Sequence, residues 1–428
     1  MIRTITAAAR SLVALSLITV VARTSAAQDA TAPTIVIRAA TVLDGRGGRI
    51  SNGAIVVRDS VIVDVLQGDA ARAAAKPGMT VYDLGTATIL PGLIDGHVHA
   101  NSYFNAAGRI HGRNDGDTPT QTALGLASNL KKMLLSGVTT AQSMGAQEDA
   151  VYRDAIARDV ILGPRLLTSL GPISDERLSV DSLRAIIRQR KADGADAIKI
   201  FASKSIRDGG ATTMSADQMN AICGEARSVG LRTLVHAHSE ESMRFGALAG
   251  CTQIEHGIFA TQAVMHLMAE RGTYFSPQCG LIFRNYLENR AKYEGSGNFN
   301  EAGFSAMQRA IPMAANIIRQ ASATPGLKMA WGTDAVAGAH GREAEDLICR
   351  VREGGQSAMA ALISATSGGA DALGLGKEIG SLAKGYRADI IAVAGDPSQR
   401  IEDLRRVTFV MTKGVLRRLD GAATVRSP

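Results

Sequence analysis

The sequence predicts an α/β fold, a (β/α)8 TIM barrel with a small β-sandwich built from both chain ends. Three observations predict it. Short apolar segments alternate with helix-period stretches through the middle of the chain, 85–377. Short strands punctuated by Gly and Asp turns occupy both ends, 34–84 and 378–420. Histidine, lysine and aspartate fall where the middle strands end, which is where a parallel barrel carries its chemistry. At 428 residues and 46% apolar, the chain can bury a large core.

Residues 1–27 are expected to be a secretory signal. Arg3 and Arg10 precede an apolar run, Ser11 to Val21, and Ser25-Ala26-Ala27 supplies a small-residue cleavage site. Arg23, after the apolar run, leaves an uncleaved anchor as the other reading. The expected location is outside the cytoplasm, in the periplasm. Arg3, Arg10 and Arg23 contribute to the net charge of +7, so the rest of the chain is nearer balance. No Lys/Arg run with interleaved aromatics occurs, so nucleic acid is not an expected partner. No other stretch approaches 18 apolar residues, so no membrane partner is expected for the mature form.

In the first end segment, Thr34–Ile37, Ala54–Val57 and Val61–Val65 alternate as strands, separated by Asp44-Gly45 and Arg58-Asp59-Ser60. Ala388–Val393 and Val407–Met411 answer them near the other end. The middle strands are expected at 88–94, 137–143, 165–169, 196–201, 232–236, 252–256, 273–277 and 328–333. Helices are expected at Thr122–Leu135, Val180–Lys191, Ala216–Val229, Glu240–Leu248 and Thr261–Glu270. The longest connection, Gln278 to about Asn300, is expected to be a loop over the site. A doubly wound sheet is the competing fold, but no Gly-x-Gly-x-x-Gly opens a helix after the first strand. Cys223, Cys251, Cys279 and Cys349 allow three pairings. None lies in a Cys-x-x-Cys, and buried free thiols are the expectation.

The strand ends carry the functional signal. The first ends in His97-Val98-His99, and residues two apart on a strand share a face, so the pair suits a metal ion. The fourth carries Lys199 inside Ala197-Ile198-Lys199-Ile200-Phe201. The fifth ends His236-Ala237-His238, the sixth Glu255-His256-Gly257, and the eighth Gly332-Thr333-Asp334. Any one of these could be a satisfied core residue or a turn former. Together, at five strand ends, they form a pattern.

That order of His-x-His, Lys, His, His and Asp resembles the metal-dependent amidohydrolase superfamily. The phrases LPGLIDGHVH, KIFAS, HAHS, IEHG and GTDAVAG resemble its branch of Xaa-Pro-type dipeptidases and imidazolonepropionase-like proteins. The overall phrasing is similar to bacterial amidohydrolases that split ochratoxin A. The resemblance covers nearly the whole chain after the leader.

It implies a metal-dependent amide hydrolase that releases a C-terminal amino acid from N-acyl amino acids or dipeptides, ochratoxin A being one such amide. His97, His99 and Asp334 would hold one divalent ion, most simply Zn2+, and His236 and His256 a second. Lys199, as a CO2-derived carbamate, would bridge the two. A water between the metals would supply hydroxide, with Asp334 as the catalytic proton shuttle. A cyclic amide hydrolase or a mononuclear deaminase shares the scaffold, and Lys199 speaks against the deaminase. The implied partner is a small-molecule amide, and the family implies a homo-oligomer.

Substrate-binding candidates come from the residues after the strands. Arg207 and His340 are favoured for a substrate carboxylate, which needs a cation or hydrogen-bond donors. His238 lies one step past the ligand face on strand five. Tyr103, His111 and Arg113 lie in the loop after strand one. His266, on a helix, is taken as structural.

Overall fold

The structure, a computed structural model, describes residues 34–112, 114–421 and 424–426. The expected leader and Arg113 lie outside the described residues.

Short runs of β-branched and apolar residues make the end strands. β1 (Thr34–Leu43) buries Val36, Ile37, Val42 and Leu43 and pairs antiparallel with β2 (Arg49–Arg58), Ile37 opposite Ile55. β3 (Val61–Gln67), β4 (Thr80–Asp83) and β5 (Thr88–Pro91) follow. The strand expected at 88–94 divides at Gly92. β5 pairs with β1, whereas β6 (Leu93–Val98) starts a separate parallel sheet. Gly92 is needed at the division, because a Cβ there would lie 2.0 Å from Thr139 Oγ1.

The middle contributes β7 (Val138–Ser143), β8 (Arg165–Thr168), β9 (Ala197–Phe201), β10 (Arg232–Ala237), β11 (Gln253–His256) and β12 (Tyr274–Ser276). β13 (Ile390–Val393), β14 (Val407–Thr412), β15 (Val415–Leu419) and β16 (Thr424–Arg426) return to the first sheet. Both chain ends are therefore paired in one nine-stranded sheet. Its order is β15-β14-β13-β5-β1-β2-β3, with β4 joining β1 to β16. The sequence reading expects a two-sheet sandwich at this place. The ends share one apolar core, in which Ile37, Ile55, Ile89, Ile390 and Phe409 meet.

The middle strands form two parallel ladders, β6-β7-β8 and β9-β10-β11-β12. The ladders do not close into one continuous sheet. Residues 328–333, expected as the eighth strand, form no regular strand, but they occupy the seam between β12 and β6. Phe275 N donates to Lys328 O, Gly96 N to Trp331 O, and Asp334 N to His97 O at 2.7 Å. On the other side, Asp196 N donates to Thr168 O and Phe201 N to Ile173 O.

The helices start where side chains can cap them. Thr118 and Gln121 make a capping box at Pro119–Leu135, and Ser215 and Gln218 another at Ala216–Ser228. Ser179, Ser239 and Thr261 cap Val180–Ala192, Glu240–Leu248 and Gln262–Arg271. The connection from Gln278 is a correction to the expected loop, since it contains helices Leu281–Glu288 and Arg290–Tyr293. Ile282, Phe283, Tyr286 and Tyr293 pack there on Phe304 and Met307 of helix Glu301–Ala323. A ~3.6-residue apolar period gives this stretch a face to bury.

The cysteines correct a second expectation. Cys223 pairs with Cys251, their Cα atoms 5.1 Å apart, and Cys279 with Cys349 at 5.8 Å, leaving no free thiol among the described residues. The first bond ties helix Ala216–Ser228 to the turn before β11, the second ties the end of β12 to helix Ala344–Arg352. Burial alone favours thiols; the pairing comes from tertiary neighbours that sequence spacing does not reveal.

Each bond is expected to stabilise the fold by about 2–4 kcal/mol. Denatured, unreduced protein should take up no alkylating reagent, and reduction before heating should lower the Tm. Alkylation followed by mass spectrometry, with and without reductant, checks both.

Candidate active site

Strand alternation sends His97 and His99 to the same side at the end of β6. His99 Nε2 lies 3.0 Å and His97 Nε2 3.4 Å from Asp334 Oδ1. His236 and His238, also two apart, meet His256 from the neighbouring strand, and one ring nitrogen from each falls within 4.8 Å of the others. The His97 and His256 ring centroids are 5.3 Å apart, so the two groups adjoin. Lys199, on β9, is 1% exposed and places Nζ 3.0 Å from His97 Nε2. All six expected ligand positions, His97, His99, Lys199, His236, His256 and Asp334, are therefore brought together.

Two of these residues leave the strand conformation. His256 and Asp334 have φ of 72° and 57°, in the left-handed region. Such backbone costs on the order of 1–3 kcal/mol and is held by its surroundings. The turn at His256 interrupts the alternation of β11, so the adjacent Glu255 and His256 can both serve the interior. At Asp334 the turn is held from below. Asp95 accepts from Thr333 N at 3.0 Å, from Thr333 Oγ1 at 2.6 Å and from His97 N at 3.2 Å.

Burial disfavours the protonated form of four of these imidazoles. It lowers the pKa of His97, lowers His236 and His256 well below the ordinary histidine value, and takes His238 down to about 3. Neutral rings have a free lone pair, which a metal ligand needs. Burial also lowers the Lys199 pKa, against the pull of Glu255 and Asp334. For Asp334 burial works upward, but His97, His99 and Lys199 outweigh it and hold the carboxyl below its usual range. His256 Nε2 is buried and has no hydrogen-bond partner. An unpaired imidazole nitrogen among nitrogen and carboxylate donors fits a divalent metal centre. The residues can hold such a group.

A cavity of about 720 Å³ opens over these side chains. Phe201, Ile206, Phe283, Tyr286, Phe299 and Val336 form an apolar wall, and Asn101, His111, Asp117 and Glu148 a polar one. Arg207 lies within the apolar wall, its guanidinium 4.3 Å from the Phe299 ring centroid and 5.4 Å from that of Tyr286. Its Nε donates to Asn298 Oδ1 at 2.6 Å.

Of the expected substrate contacts, Arg207 and His238 line the cavity, and His340 and Tyr103 do not. His340 is buried and its Nε2 pairs with the Ser102 carbonyl at 3.3 Å, so it braces the loop after β6. The Tyr103 hydroxyl lies 3.0 Å from both Asp117 and Thr122, and its ring stacks on His111, leaving it in the loop's own packing. His238 stands in the histidine cluster itself, because it shares a face with His236. His266 is exposed on its helix. Sequence reasoning missed Glu255, Asp95 and the aromatic wall. An acid within an expected strand, Asp95 after Ile94 and Glu255 between Ile254 and His256, was the available signal for the first two.

A cluster of histidines, lysine and aspartate gathered at the parallel strands and the seam beside them, under an open cavity, fits the site of a hydrolase of α/β architecture and is compatible with a divalent metal. Residues 88–417 match the amidohydrolase family, and the chain belongs to that family of amide-bond hydrolases. It is 24% identical to the ochratoxinase of Aspergillus niger over 423 positions, covering 89% of this chain and 86% of that protein. It is 26% identical over 283 positions to an imidazolonepropionase of Mesorhizobium japonicum, covering 55% of this chain and 66% of that one. Among solved structures, a Xaa-Pro dipeptidase with methionine bound in its active site superposes with a TM-score of 0.79. It is 27% identical and covers 90% of this chain and 100% of its own. The A. niger ochratoxinase structure gives a TM-score of 0.74 at 20% identity, covering 92% and 99%.

Gly332 tests how tightly this floor is packed. A Cβ there would lie 2.7 Å from His97 Cβ and 3.1 Å from His97 N, so the strand bearing the ligand would have to move. Gly332→Ala is expected to cost about 1–3 kcal/mol of stability in denaturant titration. Its activity should fall further than that loss of folded protein explains.

Proposed function

We propose that this enzyme hydrolyses the amide bond of N-acyl amino acids or dipeptides, releasing the C-terminal amino acid, with ochratoxin A within its substrate class. The observation that carries the reading is the pairing of the buried cluster at His97, His99, Lys199, His236, His256 and Asp334 with Arg207 in an apolar wall. The first can activate an amide; the second can receive a carboxylate beside an aromatic side chain. The likeness to ochratoxinase and to a Xaa-Pro dipeptidase supports the same class.

Two divalent ions, most simply Zn2+, would be held by His97, His99 and Asp334 on one side and by His236 and His256 on the other. When bound, they would supply Lewis acidity and bring the pKa of water toward neutrality. Lys199 is read as a carbamate: attack of its deprotonated amine on CO2 would release one proton and leave an anion, which suits residues that would hold dications as an ammonium does not. Asp334 takes the proton of the attacking water and delivers it to the leaving nitrogen. Neutral His238 donates to the amide carbonyl oxygen. Arg207 pairs with the substrate carboxylate, while Tyr286 and Phe299 pack on the guanidinium and hold its fork in place.

The two parallel ladders and residues 328–335 are read together as one (β/α)8 barrel. The hydrogen bonds across both seams and the barrel-type relatives support this. Export through a signal at 1–27 is proposed too, and two disulfides support it, because they persist in oxidising compartments. A ring-opening cyclic amide hydrolase is the second reading, favoured by the likeness to imidazolonepropionase.

Amino-acid release from a panel of N-acyl and aminoacyl amino acids, including ochratoxin A, tests the function in enzyme prepared with zinc and bicarbonate. Phenylalanine release is expected. Silence across the panel, with turnover of a cyclic amide, would transfer the assignment to the second reading. Asp334→Asn should abolish turnover while much of the metal stays bound; unaltered turnover would remove Asp334 from proton transfer. Arg207→Met should raise KM for carboxylate substrates roughly 10- to 100-fold, from the ~1.5–3 kcal/mol of a charged hydrogen bond. The corresponding carboxamides should change little.

A further inference from the structure

Glu255 takes no part in the chemistry proposed above and does not line the cavity. It is nevertheless fully buried on β11, beneath the floor. Its Oε2 lies 3.0 Å from His97 Nδ1 and accepts Gln278 Nε2 at 3.2 Å, while Oε1 accepts Gln253 Nε2 at 2.6 Å. A carboxylate only accepts, so the His97 nitrogen facing it must carry the ring proton. That leaves the lone pair on Nε2, the nitrogen turned toward Lys199 and Asp334.

We propose that Glu255 is a positioning residue: it fixes His97 as the Nδ1-protonated tautomer and holds the ring so that Nε2 is presented to a divalent cation. This rests on the reading of His97 as a metal ligand. A carboxylate behind a ligating imidazole also makes the ring a better donor. The carboxylate is itself braced. Gln278 Nε2 donates to Ser276 O at 3.1 Å and Gly332 O at 3.2 Å as well as to Glu255, tying β11 and β12 to the seam beside β6. The three residues Gln253, Glu255 and Gln278 thus aim one ring from strands other than its own.

The test is zinc affinity, measured on the metal-free full chain by competition with a chromophoric chelator, together with the Tm of the metal-free protein. Glu255→Gln keeps the size and removes the charge. Its affinity at one of the two sites is expected to fall about 10- to 100-fold, the range for such supporting partners, with the metal-free Tm little changed. Cobalt bound at that site should show an altered absorption spectrum. If the variant binds zinc as tightly as the unmodified chain at both sites, Glu255 is a packing residue and the proposal is overturned. If the unmodified chain binds no zinc, the metal reading falls first and the proposal falls with it. Should Glu255→Gln fail to fold, Gln278→Met decides: a smaller loss of zinc affinity supports the proposal, and no loss overturns it.

Discussion

The site depends on the seam where residues 328–335 lie against β6. Asp334 reaches the histidines only because its amide donates to the His97 carbonyl and its own backbone turns left-handed. Asp95 holds that turn by accepting from Thr333 twice and from His97 once. A buried carboxyl with three donors is expensive to place and hard to shift, since leaving any donor unpaired costs about 1–3 kcal/mol. The position of Asp334 beside His97 and His99 therefore rests on a residue that lies outside the cluster itself.

A second constraint follows from burial. Histidine, lysine and aspartate are gathered in a space where isolated charges are penalised, so the rings and the amine are pushed toward their neutral forms. The floor is primed for cations by its own desolvation. Glycine makes the gathering possible: at Gly332 and Gly92 a side chain would collide with His97 and Thr139.

The cluster residues were legible in the sequence because the histidines and Asp334 fall at the ends of expected strands, and Lys199 is a charge inside an apolar one. Loop-borne residues were not. Arg207 was found through its charge, but His340 and Tyr103 look equally available in sequence and are consumed by Ser102 and by Asp117 with Thr122. His238 was placed off the ligand face although a two-residue step returns it to the side of His236. The disulfides, the split at Gly92 and the helices after Gln278 all depend on tertiary neighbours. Glu255 was visible as an acid within a short strand, yet nothing in the sequence says that its partner is a histidine 158 positions away.

The apolar wall has its own foundation. Ile282, Phe283, Tyr286 and Tyr293 pack with Phe304 and Met307 in a cluster separate from those beneath the parallel strands. Phe283, Tyr286 and Phe299 thus reach the wall from a stretch of chain apart from the ligand-bearing strands, whereas Phe201 and Val336 lie two residues from Lys199 and Asp334. A chain built in this way can change what it accepts by rewriting residues 281–307, while the machinery that breaks the bond is inherited intact. Selectivity and reactivity are free to evolve at different speeds.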